Sequence, residues 1–351
     1  MKKKNIQVAV SLIVLIVVLV SILAYLYYNN KLIYKFELFT NNSNINTESE
    51  DKCKYISSNG IIKSCDIYSS STPVSSIKTL KEYDFTKGFN NCSIYICTSA
   101  IPDFISKLNN TNEINYKFIL VTGDADESTP VDIFSTNKDF INFIENDKII
   151  HWYAQNCVGK HSKLSPIPIG LDYHTISNNK NHEWDNSMTP QQQENLLMSI
   201  TKKAQPFWER IVKCYSNCHF TISNSKYGYD RTDALKNIPN DLIYYEPKKI
   251  KRTATWENMS TYCFIISPHG NGLDCHRTWE ALCLGCIPIV KTSVLDTLFY
   301  DLPVLIVNEW SDVSLELLNT TISNYKTKHI SKQFKYDKLL LHYWMDKIKS
   351  I

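Results

Sequence analysis

Ser267-Pro268-His269-Gly270-Asn271-Gly272 is a loop with glycines near its tip, and Asp274, Arg277 and Glu280 follow it. Gly270 and Gly272 permit close backbone approach and unusual dihedrals. With Asp274 as N-cap, the helix that follows aims its first N–H groups at the loop and forms an anion site beside His269 and Asn271. Arg277, one turn in, adds a bidentate phosphate contact. Glu280 shares its face and can accept hydrogen bonds from ribose hydroxyls. The chemistry that this set fits is the holding of a nucleoside diphosphate; the plain alternative is a tight structural turn. No G-x-x-x-x-G-K-[ST] and no G-x-G-x-x-G occurs, so this is neither a P-loop nor a dinucleotide fingerprint.

Carboxylates gather elsewhere. Phe118–Pro130 reads FILVTGDADESTP, an apolar run followed by Asp124, Asp126 and Glu127. Asp124 and Asp126 have the D-x-D spacing that holds Mn²⁺ or Mg²⁺ against a diphosphate. Equally, one of the three can be the general base that deprotonates an acceptor hydroxyl. An acidic turn is the bland alternative. Asp172 and His174, in IPIGLDYHT, could act as base and orienter, or merely tie down a connecting loop. His151, Trp152, Gln155 and Asn156 could line a sugar subsite. Lys248, Lys249, Lys251 and Arg252 read as a solvated basic cluster from which one side chain, like Arg231, could reach phosphates. His269, Cys275, His276 and the pair Cys283 and Cys286 are metal-capable types, but no tetrahedral set emerges, so no metal ligand is assigned. A G-x-S-x-G elbow and a kinase signature set are both absent.

These residues need elements to place them. Strands are expected at Ser93–Thr98, Tyr116–Thr122, Lys148–Tyr153 and Pro166–Gly170. Further strands are expected at His219–Ser223, Leu242–Tyr245, Tyr262–Ser267 and Ile287–Val290. Helices are expected at Thr136–Asn146, from Thr189 to about Cys214 behind a capping box, and at Thr253–Met259, Asp274–Leu284, Leu315–Asn324 and Phe334–Lys349. This alternation is an α/β pattern. A boundary near residues 175–190 divides it into an acceptor-side α/β domain at 52–185 and a nucleotide-binding α/β domain at 186–333, with a last helix at 334–351. Two facing doubly wound domains place a ligand cleft between the carboxyl ends of their strands.

The chain ahead of them reads differently. Residues 8–28 form an apolar run, and no charge occurs from Asn5 to Asn30. That is long enough to span a bilayer and too long for a cleaved signal. Lys2, Lys3 and Lys4 put the tail at 1–7 in the cytosol, a type II arrangement. Residues 29–51 are a polar, flexible stem. The rest then faces an exocytic lumen, in the Golgi or ER, or a viral membrane. Sequons at Asn41, Asn91, Asn109, Asn258 and Asn319 are compatible with that side. Cys53 and Cys65, Cys92 and Cys97, and Cys214 and Cys218 are close enough in sequence to pair there. Of 351 residues, 38 are Lys or Arg and 35 Asp or Glu, a net charge of +3 that supports no nucleic-acid partner. Hydrophobic residues at 43% mark an ordinary globular chain.

The block SPHGNGLDCHRTWEALCLGCIPIV resembles the donor-binding block of exostosin-like glycosyltransferases. Pro268, Gly270, Arg277, Glu280, Ala281 and Pro288 match that family's Pro-x-Gly loop, Arg-x-x-Glu-Ala helix and proline-led strand. Leu302–Trp310, LPVLIVNEW, resembles the strand and Trp that follow. The likeness covers about residues 262–313. It implies the GT-B fold, a nucleotide-sugar donor, Arg277 on the diphosphate, Glu280 on the ribose, an inverting reaction and a C-terminal helix that crosses back to the first domain. The expected activity is then transfer of a sugar from a nucleotide diphosphate sugar to a glycan or glycoprotein, with no cofactor required. One alternative is a metal-dependent GT-A-type transferase that uses Asp124 and Asp126. Another is a catalytically silent membrane-anchored binding protein on a transferase scaffold.

Overall fold

The computed structural model describes residues 49–69, 80, 82–110, 112–218 and 225–351. The expected membrane span at 8–28, nearly all of the stem and the strand expected at His219–Ser223 lie outside those residues. Among the described residues no helix is long and apolar enough to cross a membrane. Glu48–Ile351 pack as one compact unit. The stem ends sooner than expected: Glu50, only 2% exposed, is already part of the folded body.

In chain order the first half contains α1 (Ser58–Ser64), β1 (Cys92–Cys97), α2 (Ile101–Asn110), β2 (Phe118–Gly123), α3 (Asn137–Ile144), β3 (Ile149–Ala154), β4 (Leu164–Pro166) and α4 (His174–Asn178). The second half contains α5 (Pro190–Lys203), β5 (Ile211–Ser216), α6 (Tyr229–Asn237), β6 (Ile243–Tyr245), α7 (Arg252–Met259), β7 (Tyr262–Ile266) and α8 (His276–Cys283). It closes with β8 (Ile287–Lys291), α9 (Asp296–Phe299), β9 (Leu305–Val307), α10 (Leu315–Ile330) and α11 (Leu341–Lys349).

Both sheets are parallel, as the α/β alternation required. The second is ordered β6-β5-β7-β8-β9. That order reverses direction between β5 and β7, so their carboxyl ends flank a topological switch point, the usual ligand crevice of a doubly wound sheet. The first sheet runs β1-β2-β3-β4 without reversal, so among the described residues it is not doubly wound. Right-handed crossovers therefore leave α2 and α3 on one face, where Phe104, Phe140 and Phe143 pack on Ile94, Phe118 and Trp152. The other face is covered by elements distant in sequence. Ile61 and Ile62 of α1 and Leu341, Trp344 and Ile348 of α11 pack on Tyr95, Val121 and Tyr153. The C-terminal segment thus does return to the first sheet. Ile56 N donates to Leu339 O and Leu341 N to Lys54 O, both at 2.9 Å.

Several expectations shift, each for a local reason. The helix expected to reach Cys214 stops at Lys203, because Pro206 has no N–H to continue it and biases Gln205 to extended backbone. Ile211–Ser216 is β5 instead, the strand on which the second sheet is built. β4 ends at Pro166, where Pro166 and Pro168 cannot donate to a ladder. The last helix begins at Leu341 rather than Phe334, because Leu340 is extended and bridges Tyr55. All eleven cysteines lack disulfides, and all but Cys275 are buried. The locally spaced pairs are therefore not joined in this structure.

Candidate active site

The loops after β2, β3 and β4 meet the loop after β7. Asp274 is a principal junction. It stands one residue before the N-cap, which is Cys275. Its carboxylate instead accepts from Ile169 N at 2.8 Å and from Trp279 Nε1 at 2.9 Å, and its N donates to Asn156 Oδ1 at 2.9 Å. Burial pushes its pKa up to about 6, against those donors. The expectation of Asp274 as helix cap is thus corrected: its carboxylate joins the two halves. Gly272 packs so closely that an added Cβ would lie 2.7 Å from Asn156 Nδ2 and 3.2 Å from Asp126 O.

On the first-sheet side, Asp124 follows β2 directly with φ of 55°, a left-handed conformation uncommon outside glycine. Its N donates to Gln155 Oε1 at 3.1 Å, which holds the turn. The carboxyl is 6% exposed. Its Oδ2 is sealed from solvent and has no hydrogen-bond partner among the described residues. Burial pushes the Asp124 pKa up to about 7; His174 opposes the rise, and Glu50, Asp172 and Asp126 add to it. A strained, buried carboxyl that titrates near neutrality is the profile of a general base. Asp126 is exposed and hydrogen-bonded to Asn271, so it faces the opposing loop. Glu127 accepts from Ser99 Oγ at 2.7 Å.

Asp172 is also buried, but its electrostatics run the other way. Burial raises its pKa, yet His174, Arg252 and His276 together hold it far below the usual carboxylate range. His174 Nδ1 lies 3.3 Å from Asp172 Oδ1 and 3.3 Å from Ser58 Oγ. So weak a base is ill suited to abstract a proton from a hydroxyl, and the expected pair acts as an anchored ion cluster. Arg252 is not the surface cation expected. It is 8% exposed, pairs with Asp172 and stacks on Trp184 with 5.1 Å to the ring centroid.

On the second-sheet side, the glycine loop hangs on Asp230. That carboxylate accepts from His269 N at 2.8 Å and from Trp310 Nε1 at 2.7 Å. Gly270 N closes the tip on Gly272 O at 3.0 Å. His269 Nδ1 donates to Leu273 O at 2.8 Å. Arg277 extends from the first turn of α8, and its Nη1 is closed to solvent with no hydrogen-bond partner among the described residues. Arg231, from α6, comes close enough that the Arg277 charge, after burial, draws its pKa down. Two neighbouring guanidiniums at a switch point make a strong anion site. Glu280 lies 3.9 Å from Arg252 Nε and makes no closer polar contact among the described residues.

The remaining candidates divide. Gln155 and Asn156 are in the junction. Trp152 is in the core, with Nε1 bonded to Thr122 Oγ1 at 2.9 Å, and His151 bonds Ser165 Oγ at 2.9 Å. Cys283 and Cys286 are buried, and Cys286 Sγ accepts from Arg210 at 3.1 Å. Among the described residues no group of three or more His, Cys, Asp or Glu is arranged to hold a metal ion. Asp230 and Glu50 were not anticipated. Asp230 sits beside Arg231 in a stretch where no helix was expected, which is a weak signal, and Glu50 read as stem. No protein-family model matches the chain, and no curated protein matches it.

Proposed function

We propose that the chain is a membrane-anchored glycosyltransferase of GT-B architecture, transferring a sugar from a nucleoside diphosphate sugar to a hydroxyl of a glycan or glycoprotein. The observation that carries this reading is a single opposition. Arg277 brings to the switch point of one sheet a sealed Nη1, and Asp124 to the carboxyl end of the other a sealed Oδ2, neither with a hydrogen-bond partner among the described residues. An anion satisfies the first and a hydroxyl the second. Asp124 takes the acceptor proton as the acceptor oxygen bonds the anomeric carbon. The bond to the diphosphate breaks, and its electron pair leaves on phosphate oxygen. Arg277, Arg231 and the first N–H groups of α8 stabilise that charge. By the exostosin-like resemblance, Glu280 accepts from the ribose hydroxyls. Inversion at the anomeric carbon follows from the exostosin-like resemblance. Residues 8–28 anchor the enzyme, with the catalytic part in a Golgi or ER lumen or on a viral membrane.

The test is calorimetric titration of UDP, GDP and CMP into the full chain in mild detergent, with and without Mn²⁺, beside Arg277→Ala and Glu280→Ala. Metal-independent binding of one diphosphate, lost in Arg277→Ala, supports the reading. Binding that needs both Mn²⁺ and Asp124 moves it to the metal-dependent alternative. Absence of nucleotide binding by a folded chain leaves the silent scaffold.

A further inference from the structure

His276 opens α8, next to Arg277 in sequence but turned to the opposite wall. Its Nδ1 lies 2.8 Å from Gly170 O. A carbonyl can only accept, so Nδ1 carries the proton. The other ring nitrogen, Nε2, has no hydrogen-bond partner among the described residues. The ring centroid is 6.3 Å from that of His174, and His174 is the charge that acts most strongly on Asp124. From the loops packed around the ring, Asp126, Asp172 and Asp274 all lie within its electrostatic reach. On the glycosyltransferase reading, His276 reaches from the helix that carries Arg277 to His174, the neighbour of Asp124, and so borders the interval between the diphosphate and the acceptor. In any direct displacement, the transferred sugar occupies that interval.

Resting on the glycosyltransferase reading, we propose that His276 determines donor specificity through a hydrogen bond between Nε2 and a hydroxyl of the transferred sugar, a group that can donate or accept. Gly170 supports the geometry. Its φ of 68° aims the carbonyl, and an added Cβ would meet Ile56 O at 2.5 Å, so this turn cannot relax by ordinary substitution. The ring is thus held by backbone, and Nε2 is a fixed hydrogen-bonding atom.

The experiment compares UDP, GDP and a panel of their hexose and pentose conjugates, titrated into the full chain and into His276→Ala and His276→Gln. The expected result is equal nucleotide affinity in all three. One conjugate should bind the unaltered chain about tenfold tighter than its parent nucleotide, an increment of one well-placed hydrogen bond. That increment should vanish in His276→Ala and return in part in His276→Gln, whose amide can donate or accept in place of Nε2. An unchanged increment in His276→Ala overturns the proposal. So does an equal loss of nucleotide and conjugate affinity, which would mark a structural role. If the unaltered chain binds no nucleotide, the glycosyltransferase reading fails and this inference with it; if nucleotide binds and no conjugate gains, only this inference fails.

Discussion

Arg252 Nη2 lies 3.1 Å from Asp172 Oδ2, and Nη1 of the same guanidinium donates to the Asp172 carbonyl. The pair ties α7 of the second half to the loop after β4 of the first. Both side chains are buried, so their worth lies in mutual compensation. Asp172→Asn would leave the buried guanidinium with Glu280, 3.9 Å from Nε, as a more distant counter-ion, a loss of about 3 kcal/mol. Urea melts of the two chains should separate by that amount, and Arg252→Lys should not behave as conservative, because an ammonium cannot present the planar fork. A difference under about 1 kcal/mol would mean that the pair merely breaks even.

That pair also marks what the sequence could reveal. Arg252 closes a run with Lys248, Lys249 and Lys251, and composition alone assigns it to the surface. Only tertiary packing against Trp184 and Trp256 buries it. The alternation of elements was legible, because buried parallel strands such as Cys92–Cys97 and Phe118–Gly123 are near-continuous apolar runs. β5 was not, because its first residues alternate and continue the polar helix ahead of it. In the site, the glycine loop and Arg277 were legible from local spacing. Asp124 stood out by type, but its selection over Asp126 and Asp172 depends on burial and on neighbours far along the chain.

Asp124→Asn should lower kcat by about 10²–10⁴-fold while nucleotide affinity stays unchanged, the mark of a lost general base. In the unaltered chain the base works only when ionised. With its pKa near 7, kcat/KM should rise with pH and level off above about 7. A pH-independent rate from pH 5 to 9 would remove Asp124 from the role.

Inorganic pyrophosphate should raise the melting temperature of the unaltered chain without added metal. In Arg277→Ala that rise should disappear, with affinity at least tenfold weaker. The unliganded variant should melt no lower than the unaltered chain, because the substitution removes a guanidinium whose buried Nη1 has no hydrogen-bond partner among the described residues and which is a like-charge neighbour of Arg231. A large drop in unliganded stability would show that Arg277 is structural.

Gly272→Ala tests the junction. The new Cβ would sit 2.7 Å from Asn156 Nδ2, so either the loop or Asn156 must move. Overpacking of this kind costs about 1–3 kcal/mol. Because the same loop carries the anion site, nucleotide affinity should fall with stability. Unchanged values of both would mean that the loop has room that the geometry does not suggest.

Glu50 predicts a pH dependence of stability. Burial pushes its pKa from 4.5 up to about 8, against the hydrogen bond from Ser57. The folded chain therefore keeps this proton where the unfolded chain releases it. The associated stability is whole below about pH 4.5 and is lost as pH rises through about 8. The loss is on the order of 5 kcal/mol for a shift of this size. Glu50→Gln keeps the shape and the hydrogen bonding of the neutral acid without the titration. Urea melts at pH 5 and pH 9 should show the unaltered chain losing more stability than Glu50→Gln over that interval. Asp124 and Asp274, also raised by burial, contribute in the same direction to both proteins; because the Glu50 charge adds to the Asp124 rise, the difference reports Glu50 together with that coupling. Equal losses in the two proteins would place the Glu50 pKa in the ordinary carboxylate range and return that residue to the role of a simple buried hydrogen-bond acceptor.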